Sequence, residues 1–148
     1  MFLKPANVIF GGTIIAQPFI TVKVVCLSSD NVGDMVYIAG EQVSSDTYNV
    51  TRVDIDDPNK RNPLGMLIEK TSSTTGTVQI VGVIKGVYTG LTPGKYLFID
   101  TAGRLNEVAP GRPSLGVTRS VQICGLAISS NGVSITLMSP TIIKNLAA

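Results

Sequence analysis

The 148-residue sequence contains no histidine and no tryptophan, and aromatic residues make up only 5% of it. Histidine is the usual general base near neutral pH and a common zinc ligand, so its absence removes the commonest routes to acid–base and zinc chemistry. Few aromatic rings leave little surface on which nucleic-acid bases could stack. The composition therefore disfavours an enzyme, and we predict a non-catalytic protein without a cofactor.

Charge is scarce as well. Charged residues make up 15% of the chain, against about 25% in an average domain. The net charge is +2, and the Lys and Arg residues are scattered along the sequence, whereas nucleic-acid binders concentrate them in one patch. We therefore predict no nucleic-acid partner, and we expect a single domain that buries surface against neighbouring subunits.

Long apolar runs are also missing. Residues 8–27 are apolar on average, but Gly11-Gly12, Gln17-Pro18 and Lys23 interrupt them. The sequence therefore predicts no membrane span and no signal peptide, and we expect a soluble protein made in the cytoplasm. The only two cysteines, Cys26 and Cys124, each lie in an apolar run. We predict buried free thiols there in preference to a disulfide.

What the sequence does contain is short runs of β-branched and aromatic residues separated by turn residues, without helical periodicity. This pattern predicts an all-β fold, a β-sandwich or barrel-like domain of short antiparallel strands over residues 18–139. Residues 140–148 form a tail for which one helical turn is expected. Residues 1–17 read as an extended N-terminal arm with an apolar patch at Val8, Ile9 and Phe10. The arm is either a strand of the protein's own sheet or a segment laid on a neighbour.

The central stretch, residues 77–103, predicts two strands joined by a type II turn at Pro93-Gly94. Asn131-Gly132 predicts a second hairpin. Gly82, Gly86 and Gly90 recur every four residues and would share one strand face, where glycine usually marks the close approach of another backbone. That backbone belongs either to the same subunit or to a symmetry mate, so the three glycines are candidate contact residues.

A pseudo-repeat is visible in the order of three motifs, which indicates one β unit used twice. It also matches Cys124 with Val81. The matched segments are 33–38 with 94–99, 63–66 with 114–117, and 78–83 with 121–126.

Asp54, Asp56 and Asp57, near Asn59, are the one cluster that could hold a calcium ion. The glycine and the terminal glutamate of an EF-hand loop are missing, and Asp-Pro-Asn is ordinary turn composition. We predict turn chemistry here and no metal site.

One stretch resembles a known family. Residues 86–99, with their Gly-Leu-Thr-Pro-Gly turn and Tyr- and Phe-containing strand, resemble a recurrent module of tailed-bacteriophage virion proteins. Val121-Gln122, followed by Gly125 and Ala127, matches the module's Val-Gln-x-x-Gly-x-Ala segment, and the Gly-Asp-x-Val-Tyr strand of its upstream half is matched at residues 33–37. The resemblance covers roughly residues 33–138.

The resemblance implies a capsid decoration (cement) protein, a homotrimer that binds the major capsid protein on the outer surface of the virion. It would stabilise the shell by bridging capsid subunits, with Val8, Ile9 and Phe10 of the arm as contacts. The alternative is a fibre or tail receptor-binding domain that meets the host through loops 41–46 and 108–114. Neither alternative involves a membrane.

Overall fold

The structure, a computed structural model, describes residues 19–146, which form twelve β-strands and no helix. The all-β expectation is confirmed. The strands are β1 (Ile20–Val25), β2 (Met35–Ile38), β3 (Thr47–Arg52), β4 (Pro63–Lys70), β5 (Thr75–Val81), β6 (Val83–Lys85), β7 (Tyr96–Ile99), β8 (Leu105–Asn106), β9 (Thr118–Val121), β10 (Ile123–Ser129), β11 (Gly132–Ile135) and β12 (Thr141–Lys144).

The first five strands close into a barrel in the order β1-β3-β2-β4-β5. Its interior is filled by one apolar side chain from each strand together with Cys26, which follows β1. The strand residues are Val24, Val36, Val50, Leu67 and Val78. Strands β1 and β3 pair in parallel, an exception to the antiparallel expectation, and the other pairs between these twelve strands are antiparallel.

A second, five-stranded sheet has the order β6-β11-β10-β7-β8, and β12 pairs with β9 in a separate two-stranded ribbon. The larger hydrophobic core joins barrel strands to this sheet. Met35 and Met66 contribute to it from the barrel, and Leu97, Ile99 and Cys124 from the sheet. Since neighbouring strand residues point to opposite faces, Val36 fills the barrel while Met35 packs towards the sheet.

The predicted hairpin over residues 77–103 is wrong, although its turn is right. Gly94 has a φ of 89° and the Lys95 amide donates to the Thr92 carbonyl at 3.1 Å, which is the geometry of a type II turn. However, β6 pairs with β11, and β7 pairs with β10 and β8. The reason lies at Gly82, whose φ of 104° ends β5, so that the chain leaves the barrel and enters the second sheet.

Two other local predictions have opposite outcomes. The hairpin near Asn131 is confirmed, because β10 and β11 pair with Ser129 opposite Gly132. The tail contains strand β12 rather than a helical turn, because its residues 141–144 pair with β9.

The two copies of the pseudo-repeat do not pair with equivalent strands. Its first motif forms β2 in the barrel and β7 in the second sheet. Gly65 lies within β4, whereas its counterpart Gly116 lies outside the strands with a φ of 79°. Cys26 and Cys124 are buried free thiols, as predicted, but Val81, the match of Cys124, is 43% exposed. Sequence similarity therefore does not carry over to equivalent environments.

Candidate interaction surface

The outward side of the five-stranded sheet carries two rows of mainly apolar side chains. Along β7, Leu97 and Ile99 enter the core, so Tyr96 and Phe98 project from the opposite face. The pairing register of the strands places these side chains in rows that run across the sheet, and we call this surface the outer sheet face. One row contains Tyr96, Leu126, Ser134 and Val83, and the second contains Asn106, Phe98 and Ile123.

These side chains are half-buried to exposed. Tyr96 is 47% exposed, and Ile128, two residues beyond Leu126 on β10, is 42% exposed. Isolated exposed apolar residues are common, but neighbouring ones on a regular face are typical of contact surfaces. No member of either row is charged, and Lys85, two residues beyond Val83 on β6, is an exposed charged residue on the same face. The outer sheet face therefore has the composition of surfaces that pack against another protein.

Three residues in the segments that resemble the virion module have a structural role, namely Gly33, Asp34 and Tyr88. The Tyr88 hydroxyl donates to the Gly33 carbonyl at 2.7 Å and accepts from the Leu105 amide at 2.8 Å. It thereby ties the segment before β2 of the barrel to β8 of the second sheet. Burial raises the pKa of Tyr88, so the hydroxyl stays protonated and can act as donor and acceptor together.

Asp34 adds ion pairs to this connection between the barrel and the second sheet. Its carboxylate is nearly fully buried and lies 3.1 Å from Nη1 of Arg104 and 3.5 Å from Nη1 of Arg52. The Arg104 guanidinium also lies 5.1 Å from the centre of the Tyr88 ring. A buried carboxylate needs such partners, because an unpaired charge in the interior is costly. Gly33, Asp34 and Tyr88, which belong to the resembling segments, thus connect the two halves of the fold.

Gly82, Gly86 and Gly90 do not share a strand face as predicted. All three have left-handed φ values, of 104°, 82° and 71°, which interrupt the regular alternation of faces along an extended strand. A Cβ atom added at Gly86 or Gly90 would meet nothing within 4 Å among residues 19–146. The close approach of a backbone from the same subunit is therefore not found at Gly86 or Gly90, and contact with a neighbouring subunit stays a prediction.

Val8, Ile9 and Phe10 lie outside the described residues, so their role also stays a prediction. Where the described chain begins, Phe19 is 61% and Ile20 is 51% exposed. Ile20 pairs with Val81, which is itself 43% exposed.

The aspartates near residue 56 serve turns and an ion pair. Oδ1 of Asp54 accepts the Asp56 amide, and Oδ1 of Asp57 accepts the Asn59 amide. Both oxygens of Asp56 face Arg119, at 2.7 Å from Nε and 2.9 Å from Nη2, and this hydrogen bonding lowers the pKa of Asp56. Across residues 19–146, no three His, Cys, Asp or Glu side chains are grouped so that they could hold a metal ion.

The thiols are poorly placed for nucleophilic chemistry. Burial raises the pKa of Cys124 to about 12. The pKa of Cys26 is also raised by burial, with Lys70 opposing the shift. Since the thiolate is the reactive form, both cysteines act as core side chains.

No protein-family model matches the chain, and neither curated proteins nor solved structures give a significant match. Within the described part of the chain, no helix is long and apolar enough to cross a membrane.

Sequence reasoning missed the outer sheet face. The signal was present in the alternation of Tyr96 and Phe98 with the core residues Leu97 and Ile99. The partners of that face come from β10, β11 and β6, and their register depends on contacts distant in sequence.

Proposed function

We propose that this protein is a capsid decoration protein, a homotrimer that binds the major capsid protein on the outer surface of a phage particle. The observation that carries the proposal is the mainly apolar outer sheet face, whose two rows contain no charged residue. The resemblance supports it, because two of its matched segments, residues 86–99 and 121–127, contribute β7 and β10, which pair in the same sheet. They therefore form one structural unit.

Cementing requires only that each trimer buries surface across adjacent capsid subunits. Fully burying a large apolar side chain is worth about 1.5–3 kcal/mol, and Tyr96 and Ile128 have nearly half of that surface still to bury. Three linked copies bind with an avidity above that of one copy, without additional contacts per copy. The apolar arm residues Val8, Ile9 and Phe10 would add further contacts of the same kind.

The outer sheet face is tested by placing a charge on it. In Tyr96→Lys the new ammonium would be buried on binding, and we expect at least about tenfold weaker binding, corresponding to ~1.4 kcal/mol. The assay mixes purified protein with capsids lacking it and measures the bound fraction by sedimentation. Because Tyr96 is half exposed, the variant should fold, which urea unfolding checks.

Val43→Lys is the matched control, since Val43 is 55% exposed in the loop before β3. It should bind as the unmodified protein does. Unchanged binding by Tyr96→Lys would exclude the outer sheet face as the capsid contact.

Deletion of residues 1–12 tests the arm separately. We expect a folded protein that no longer binds capsids, and unimpaired binding would refute the arm's role.

The second candidate is a fibre or tail receptor-binding domain. It is favoured by the exposure of loop 41–46 and of most of loop 108–114, where Val108 is 72% exposed. Its distinguishing experiment is host adsorption. Competition by the isolated protein would favour this function, whereas a decoration protein should leave adsorption unchanged.

A further inference from the structure

A polar pocket of about 350 Å³ opens beside strand β3, outside the outer sheet face. It lies between the loop after β1, the segment after β3 and the turn at residues 100–103. We call it the β3 pocket. Side chains with donor groups that line it are Ser29, Tyr37, Thr51, Arg52, Lys60 and Thr101.

Arg52 is held in position at this pocket. Its aliphatic stem packs on Gly103, where a Cβ would collide with the Arg52 Cγ, and Gly103 has a left-handed φ of 76°. Nη1 of the guanidinium lies 3.5 Å from the buried Asp34 carboxylate. The Arg52 side chain is nonetheless 38% exposed. The Arg52 guanidinium group is therefore held in one orientation by its neighbours and remains accessible to a ligand.

The acidic side chains in the wall are already occupied by internal donors. Asp30, only 1% exposed, accepts from the Leu27 amide at 2.8 Å, the Thr51 hydroxyl at 2.9 Å and the Arg52 amide at 3.2 Å. Asp54 accepts from the Asp56 amide at 3.0 Å. These carboxylates line the pocket, but their oxygens already accept hydrogen bonds from within the protein.

The hydroxyl and cationic side chains of the pocket, in contrast, can still donate hydrogen bonds to a ligand. Within residues 19–146, the hydroxyls of Ser29, Tyr37 and Thr101 and the Arg52 guanidinium form no hydrogen bond by their side chains. Lys60 has only Asp57, whose carboxylate oxygen is 3.7 Å from Nζ. The pocket therefore offers two cations and three hydroxyls to an acceptor.

We propose that the β3 pocket binds a carboxylate group. The planar guanidinium group of Arg52 matches a carboxylate, and the three hydroxyls can donate to its oxygens. Asp30 and Asp54 line the same pocket, and Asp34 and Asp57 already pair with Arg52 and Lys60. The ligand would therefore be held mainly by hydrogen bonds from the guanidinium and the hydroxyls, and a singly charged group would meet less repulsion from these carboxylates than a more highly charged one. This site is independent of the decoration function.

The test is an NMR titration of the full-length, ¹⁵N-labelled protein with sodium acetate, compared with sodium chloride at equal ionic strength. We expect saturable shifts of the Thr51, Arg52 and Thr101 amides with acetate only. Lys60→Gln should weaken binding about threefold, the typical size of one exposed charge contact. Lys85→Gln, which changes an exposed lysine on β6, is the control and should leave binding unchanged.

A second titration separates the two sources of a carboxylate. It uses an end-blocked peptide with one Glu between glycines, and the same peptide with Gln. Binding of the Glu peptide more tightly than acetate would identify an acidic side chain of a protein partner, and preference for acetate would identify a small-molecule ligand. The proposal is overturned if acetate and chloride give the same shifts, or if Lys60→Gln binds acetate as the unmodified protein does.

Discussion

Removal of one hydroxyl group, in Tyr88→Phe, should destabilise the whole domain. The variant keeps the ring but loses the hydrogen bonds to the Gly33 carbonyl and from the Leu105 amide, at 2.7 and 2.8 Å. Each bond contributes about 1 kcal/mol net, and a buried amide left without an acceptor costs about 1–3 kcal/mol. Leu105 is only 5% exposed, so the expected loss of unfolding free energy is ~3 kcal/mol.

The assay is urea unfolding, in which Tyr88→Phe should lower the midpoint without changing the m-value. For a chain of this size the loss corresponds to a fall in Tm of roughly 6–12 °C. Tyr96→Phe is the matched control, because the Tyr96 side chain is 47% exposed on the outer sheet face, and it should change stability by less than about 0.5 kcal/mol. If Tyr88→Phe were as stable as this control, the hydroxyl would not join the barrel to the second sheet.

Two further substitutions test neighbouring features. Gly103→Ala should lower the free energy of unfolding, measured in urea, by more than Gly94→Ala does. Both glycines have a positive φ, so alanine carries about 1–2 kcal/mol of backbone strain at either position, but only at Gly103 would the added Cβ also collide with the stem of Arg52. Equal losses would contradict the packing of Arg52 on Gly103. Asp56→Asn should cost about 1 kcal/mol or less at pH 7. Because Arg119 lowers the pKa of Asp56 in the folded protein, this contribution is present above pH ~4 and is lost as the pH falls through the folded value. The stability difference between Asp56→Asn and the unmodified protein should therefore shrink in acid, and a constant difference between pH 7 and pH 3 would exclude the ion pair as its cause.

Local chemistry made several features predictable. A proline followed by a glycine has few alternatives to a type II turn, and the Lys95 to Thr92 hydrogen bond forms as expected. The hairpin at Asn131 follows from a two-residue loop between β-forming runs. Cys26 and Cys124 are buried because they sit among apolar neighbours. Each of these depends on residues close in sequence.

Features that depend on long-range pairing could not be predicted in the same way. Gly82 looked like a residue inside a long strand, but its positive φ divides that strand between two sheets. The parallel pairing of β1 with β3 and the contact of Tyr88 with Gly33, 55 positions away, leave no local pattern. The outer sheet face and the β3 pocket are both assembled from such distant segments.

The central claim, that this is a capsid decoration protein, is tested most directly by its copy number per virion relative to the major capsid protein, measured by quantitative mass spectrometry. A shell-wide decoration protein should be present in copies comparable to the major capsid protein. A handful of copies per particle would contradict decoration and favour a fibre or tail component. Absence from particles would contradict both virion functions.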